Sequence, residues 1–255
     1  MTRLLLASPA VALVLGLLVG PLAMLVRLSF AERAPGRGFY VPGTWTLANF
    51  DGGALRLAGA TLLFAALVAL LSLAVAYPLA MWLRRLSPIL RRIALACVLM
   101  PKLASALAVL FGLMQLLSAS GPFGLTLSHS LLGAVLAEAL LVLPYAVLVL
   151  HLQLSAIDPS LEEAARGLGA SPWQVFRRVT LPLSLPGLLL AAQLSLLWGI
   201  GAFLGPMLLG GPREATLGSE SYRQWFELSR WPRAAALATL LLLLSALALV
   251  PWRKR

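Results

Sequence analysis

The sequence predicts an all-α integral membrane protein with six transmembrane helices, and three observations lead there. Hydrophobic residues are 60% of the 255 and charged residues only 11%, against roughly 25% charged usage in soluble domains. Mean hydropathy is +0.93. The apolar residues gather into six runs, each near the roughly 20 residues needed to cross about 30 Å of hydrocarbon. A polar stretch between the fourth and fifth runs, LEEAARGLGASPWQVFRRVTLPLSLPG at 161–187, is patterned at helical rather than strand spacing. The runs and their short connections occupy the chain as one transmembrane domain over residues 1–255 and leave no room for a soluble domain with its own core.

The first run, about 4–30, follows Arg3. A signal peptide is the alternative there, but the run is longer than an h-region and no clear A-x-A site follows it. The second run is about 57–83, the third 93–117, the fourth 130–155, the fifth 184–206 and the sixth 233–252. Pro78, Pro101 and Pro144 fall inside runs two to four, where proline kinks a membrane helix. Six crossings put both termini on one side, and the basic residues choose it. Eleven cations lie on the side of the termini: Arg3, Arg84, Arg85, Arg91, Arg92, Arg166, Arg177, Arg178, Arg253, Lys254 and Arg255. Eight lie opposite: Arg27, Arg33, Arg37, Arg56, Arg213, Arg223, Arg230 and Arg233. The excess of Lys and Arg marks the cytoplasmic side, so both termini and the patterned loop, about 156–183, are expected in the cytoplasm. The net charge of +11 thereby reads as bilayer orientation rather than as nucleic-acid binding.

Within that loop Asp158-Pro159 is a helix start, an N-cap carboxylate followed by a proline where its missing N–H is harmless. Leu161, Ala164, Ala165 and Leu168 then share one helical face. Glu162 and Arg166 pair at i, i+4 on another. Gly169 stands where a left-handed residue ends a helix. Ser171-Pro172 opens a second helix, with Gln174 completing a capping box. Trp173 and Phe176 form its exposed apolar side, and Leu181-Pro182 is the expected stop. Two readings suit this pair of helices. It rests on lipid headgroups as an amphipathic surface element, or it enters a protein groove, for which the smooth Ala164-Ala165 ridge is better shaped than for lipid.

EAARGLGASPWQVFRRVTLP, residues 163–182, resembles the EAA loop of permease subunits of binding-protein-dependent, type I ABC importers. The matching positions are Glu163, Ala164, Ala165, Gly169, Val179, Leu181 and Pro182. The segment LLGGPREATLGSESYRQWF and the N-terminal FYVPGTWTLANF are similar to the spermidine/putrescine-type subgroup. What the resemblance implies is a type I ABC importer permease fold with a cytoplasmic coupling loop. It implies a bacterial inner-membrane location, a second permease subunit that is a different chain, two ATPase subunits and an extracytoplasmic substrate-binding protein. The loop would dock on the ATPase, with Glu163 facing basic residues there and Trp173 and Phe176 beside it. The substrate it implies is small and polyamine-like, or another small cationic or polar compound. ATP and Mg would belong to the partner ATPase, in keeping with the lack of a GxxxxGK[ST] phosphate loop in this sequence. No cofactor is expected on this chain.

Lys102 and Glu138 are the charges expected well inside runs. Lys102 lies ten residues past Arg92 and Glu138 eight residues into the fourth run, hence roughly 15 Å and 12 Å deep at 1.5 Å per residue. Either they pair or they line a path, because an isolated intramembrane charge is expensive. Gln193 either lines the path or bonds a neighbouring helix. Gly201-x-x-x-Gly205 reads as close helix packing. The lone Cys97 reads as a core thiol, and His129 and His151 lie too far apart in sequence depth for a metal site. No nucleophile-base pair suggests an enzyme. An ATP-independent secondary transporter or channel is the alternative, although such transporters usually show repeated halves, and none is visible here.

Overall fold

The computed structural model describes residues 2–35, 39–211 and 213–249, those before Leu13 by backbone alone. Arg37, residues 250–252 of the sixth run and the tail Arg253, Lys254, Arg255 lie outside the described residues, as does the side chain of Arg3. Helices account for most of it, and no strand occurs among the described residues beyond one isolated bridge, Glu32 to Val41. In order, the long helices are α1 (Thr2–Ser29), α2 (Gly52–Arg85), α3 (Pro88–Leu103), α4 (Ala106–Leu117) and α5 (Leu131–Ser155). Then come α6 (Pro159–Gly167), α7 (Pro172–Val175), α8 (Leu181–Ile200), α9 (Leu204–Leu209), α10 (Leu217–Tyr222) and α11 (Trp231–Leu249).

Among the described residues, four helical segments are long and apolar enough to cross a membrane: α2, α5, the continuous stretch Pro172–Ile200, and α11. α3 and α4 meet the same test only together, as a pair bent by 100°. In α1 the described apolar part is Leu13–Ser29. The second, fourth and sixth runs thus match their helices to within a few residues. The third, expected as one span kinked at Pro101, is instead broken into two helices. Pro101 removes an N–H from the ladder near the end of α3, and Ala104 and Ser105 are both extended, so the helix turns there. The fifth run also differs, since α8 stops at Ile200 and α9 starts at Leu204. Pro78 and Pro144 sit inside α2 and α5, which run on through them.

The described chain forms two compact units. One comprises residues up to Gly59 with Leu217–Leu244. Its core is Leu28, Ala31 and Ala235 with Tyr40, Trp225 and Trp231 around them, and separately Ala54, Leu217 and Leu237. The connection after α1 is tied back by a side chain: the Asn49 side-chain amide donates to the backbone carbonyls of Ser29 and Ala31 at 3.0 and 2.9 Å. Asp51 caps α2 by accepting from Ala54 N–H at 2.9 Å and is gripped by both terminal nitrogens of Arg233 at 2.9 and 3.1 Å. That bidentate geometry is the strong form of an ion pair.

The other unit comprises Ala60–Thr216 with the chain from Ser245, and α5 is its centre. Of α5's apolar window 61% is buried, against 33% for each of the other three spans. Ala146, Val147, Leu150 and Leu154 of α5 meet Ala76, Ala80 and Leu83 of α2 and Ala191 of α8. Small residues at such contacts let helix backbones approach, which is how helices associate where lipid is as apolar as leucine. α3, by contrast, buries no residue. Cys97 on it is exposed rather than a core thiol, because it lies on the side of the helix away from Ala94, Leu95 and Val98, which pack on the core. Gly205, the second glycine of the Gly201-x-x-x-Gly205 pair, packs tightly: a Cβ there would come 3.2 Å from Ala134 O.

Candidate functional site

The patterned loop folds as its sequence caps dictate. Asp158 accepts from Ser160 N–H at 2.9 Å with Pro159 first in α6. At the other end Gly169 has φ +84, and Ala170 N–H reaches Ala165 O at 3.1 Å while Gly169 N–H reaches Arg166 O at 2.9 Å. A left-handed residue with these two bonds is the helix-ending motif in which glycine alone avoids a Cβ penalty. The capping box of α7 is complete: Gln174 N–H donates to Ser171 Oγ at 3.4 Å and Ser171 N–H to Gln174 Oε1 at 2.8 Å.

Leu181-Pro182 was expected to end this second helix, and it does not. From Phe176 to Thr180 the helix widens into a π-turn, where Leu181 N–H bonds Phe176 O five residues back, and α8 continues without a break. Pro182 has no N–H to give, and in an α-ladder its ring would strike the carbonyl four residues back. One widened turn ahead of it absorbs both problems. The consequence is mechanical: α7, the π-turn and α8 are one helical stretch, Pro172–Ile200, so the loop is rigidly joined to a membrane span.

What holds α6 is Glu162. Its Oε1 accepts from Arg84 Nη1 at 2.7 Å and from Thr180 Oγ1 at 3.0 Å, and its Oε2 from Arg166 at 3.5 Å. Arg84 also donates to Ile157 O at 3.1 Å. The i, i+4 partner expected from sequence is therefore the weaker one. Arg84, at the end of α2 and 78 residues away, is the stronger. Burial pushes the Glu162 carboxyl up, but the hydrogen bonds from Arg84 and Thr180 and the charges of Arg84 and Arg166 outweigh it and hold the group below the ordinary carboxylate value. These residues border an open cavity of about 550 Å³ together with Met81, Arg85 and Phe176.

The positions singled out by the motif lie differently. Glu163 and Ala164 are exposed and Ala165 half-buried. Leu161, Leu168 and Trp173 are exposed, Leu168 to 90%. Phe176 stacks on Trp173, ring centres 5.4 Å apart, and meets Tyr77 edge-on at 6.1 Å. Val179 and Leu181 are half-buried and Pro182 is exposed. The loop therefore shows an acid, a small residue and three large apolar side chains on a frame that Glu162 locks to α2.

Deeper in the same unit, Lys102, Glu138, Leu141, Trp198, Phe203 and Leu204 line a cavity of about 360 Å³. Lys102 and Glu138 thus share a cavity, and no ion pair joins them among the described residues. Glu138 is 3% exposed and accepts from Gly205 N–H at 3.3 Å. That bond serves the gap between α8 and α9, where helix bonding is lost, and Thr216 Oγ1 does the same by donating to Ala202 O at 2.9 Å. Non-helical backbone at membrane depth is tolerable when protein groups satisfy it in this way. Lys102 Nζ lies over the rings of Tyr145 and Trp198, an aromatic pair brought together from α5 and α8 and missed by sequence reasoning. Gln193 stands apart: its amide donates to Ala248 O at 2.9 Å, a bond between helices.

Residues 70–252 match the family described as "Binding-protein-dependent transport system inner membrane component". The chain is 30% identical over 204 residues to the spermidine/putrescine transport system permease protein PotB of Escherichia coli (strain K12), covering 74% of each chain. It is 44% identical over 81 residues to the molybdenum transport system permease protein ModB of the same organism, covering 32% of this chain and 35% of that one. Among solved structures, a bacterial ABC transporter involved in the import of the acidic polysaccharide alginate superposes with TM-score 0.68 at 18% identity, over 98% of this chain and 93% of that one. The MetNI methionine ABC transporter, in inward-facing conformations, superposes with TM-score 0.60 at 22% identity, over 76% and 90%. At these identities the two structural likenesses speak for the fold.

Proposed function

The chain belongs to the family of binding-protein-dependent transport system inner membrane components, as a permease subunit of an ABC importer, and from that premise we propose how it works. It crosses the membrane six times, with α3 and α4 counted as one bent crossing and both termini in the cytoplasm. It pairs with a second, different permease chain over two ATPase subunits and receives solute from an extracytoplasmic binding protein. α6 and α7 are the coupling helices. Glu163, Ala164 and Trp173 face the ATPase, and Glu162 keeps them in place by its bond to Arg84. ATP and Mg act in the partner, and a push on α7 passes directly into α8 because no joint separates them.

The observation that carries this reading is the continuous helical stretch from the capped, exposed α7 into the span α8. A helix merely resting on lipid gains nothing from so stiff a connection, whereas a lever requires it. The solute we propose is a small cation of the polyamine kind, in line with the PotB relatives, and the cavity holding Glu138 and Lys102 belongs to its path. The test is Glu163→Lys in the assembled system. Transport and retention of the ATPase on purification should both fall, while membrane abundance of the permease stays unchanged, because the side chain is exposed. A variant that transports normally and keeps its ATPase would remove α6 from the docking surface.

A further inference from the structure

Lys102 lies in the last turn of α3, beside the 100° bend into α4. Its Nζ is 4.6 Å from the centre of the Tyr145 ring and 4.6 Å from that of Trp198. The rings come from α5 and α8 and are neighbours, with centres 5.2 Å apart. The adjoining cavity of about 360 Å³ is bordered by Lys102, Trp198 and the buried Glu138. Two electron-rich ring faces and a carboxylate attract a cation. Against these three groups only Lys102 favours an anion. The place that an ammonium group would take is therefore already held by an ammonium, carried on a flexible four-carbon stem next to a bend.

We propose that Tyr145, Trp198 and Glu138 form an ammonium-binding site within the membrane segments, and that Lys102 is a tethered plug seated in it, displaced when a free amine enters. The ligand class is a primary or secondary alkylammonium ion. The cavity beyond the rings gives its chain an apolar bed against Leu141, Leu197 and Leu204. The amine's place as transported solute rests on the substrate reading above; the plug itself rests on the geometry. While Lys102 is seated, the two ring faces are occupied without solute. An entering amine must compete with it, so a weakly held or neutral molecule does not open the site.

The test uses the full chain purified in lipid nanodiscs, with putrescine as probe and calorimetry as readout. Lys102→Met should bind putrescine at least about tenfold more tightly than the wild type, since the internal competitor over the two rings is gone. Lys102→Arg keeps a cation in place and should bind no better than wild type. Adding Trp198→Leu to Lys102→Met should abolish the gain. Butane-1,4-diol, the neutral analogue, should bind none of them. If Lys102→Met elutes aggregated, Lys102→Gln replaces it with the same expectation. The proposal is overturned if folded Lys102→Met or Lys102→Gln binds putrescine no more tightly than wild type. It is equally overturned if the diol binds as well as the diamine, or if the wild type binds sulfate and Lys102→Met loses it, which would make the site an anion receptor. Amine import by the assembled system is a separate measurement. Import without tightening removes the plug and leaves the substrate reading. Tightening without import does the reverse.

Discussion

Glu162 and Glu163 are neighbours with opposite surroundings: 16% of the Glu162 side chain is exposed and it accepts from Arg84, Thr180 and Arg166, whereas Glu163 is turned to solvent. An ion pair in water contributes little, but Arg84 is equally sheltered, at 16%. Glu162→Gln leaves that guanidinium facing a neutral amide, at a cost of about 1.5–3 kcal/mol, the range for hydrogen bonds to charged groups. The pH dependence follows from the direction of the shift. The folded carboxyl titrates below its ordinary value, so the stabilisation is fully present above the unfolded pKa of about 4.3 and disappears as pH falls through the lower, folded value. Hydrogen exchange of the α6 amides, corrected for intrinsic rate, should stay slow from pH 7 down to about that unfolded value and quicken below it. In Glu162→Gln it should be fast throughout. Equal protection of α6 in both proteins at pH 7 would show that Arg84 does not hold this helix through Glu162.

At the scale of elements, the turn between α6 and α7 isolates one physical effect. A Cβ at Gly169 would meet nothing within 4 Å, yet φ is +84. The obstacle to substitution is therefore backbone conformation alone, about 1–2 kcal/mol for an ordinary residue and more for a β-branched one. Gly169→Asn should retain coupling, because asparagine visits the left-handed region readily. Gly169→Val should lose coupled transport while ATPase activity continues. Identical transport by the two would exclude a fixed turn. This loop was readable in sequence because its determinants are local: Asp158 to Ser160, Ser171 to Gln174 and the glycine between lie within a few residues of what they bond. What was not readable depended on distance or on a shift of register. Pro182 looks like a stop unless a π-turn precedes it, and nothing in FRRVT announces one. The bond from Arg84 to Glu162 spans 78 residues. The gap after Ile200 is stable because Glu138 and Thr216 bond its backbone, and their part in it cannot be seen from the run of leucines around it. Cys97 looked like a core residue because its neighbours are apolar, but α3 turns Ala94, Leu95 and Val98 to the core and leaves Cys97 exposed.

At the scale of the whole molecule, the bent pair α3–α4 decides the number of crossings, and two facts about other elements constrain it. The end of α2 and the start of α6 lie on one face, since Arg84 and Glu162 are 2.7 Å apart. α5, 25 residues long and mostly buried, extends roughly 37 Å at 1.5 Å per residue and so crosses about 30 Å of hydrocarbon once. The chain leaves the face of Arg84 after α2 and returns to it at the end of α5. Between Arg85 and Leu131 it must therefore change sides once, which a re-entrant hairpin would not do. The six crossings proposed above assign that change of sides to α3 and α4 together, despite the bend. With α5 before it, the loop of Ser171 then lies at the other end of that helix from the connection holding Ser120. The proposed orientation places Arg84, Arg85, Arg91, Arg92, Arg166, Arg177 and Arg178 on the face of Ser171, and such an excess is what the positive-inside rule expects of a cytoplasmic face. Single cysteines test this, and because Cys97 is exposed it must first be replaced by serine. In Cys97→Ser, an impermeant thiol reagent applied to intact cells should label Ser120→Cys and Glu227→Cys and leave Ser171→Cys untouched until the cells are broken. Labelling of Ser171→Cys from outside would invert the orientation and detach the loop from any cytoplasmic ATPase. Labelling of Ser120→Cys and Ser171→Cys from the same side would mean that α5 does not cross, and the count of six would fail with it.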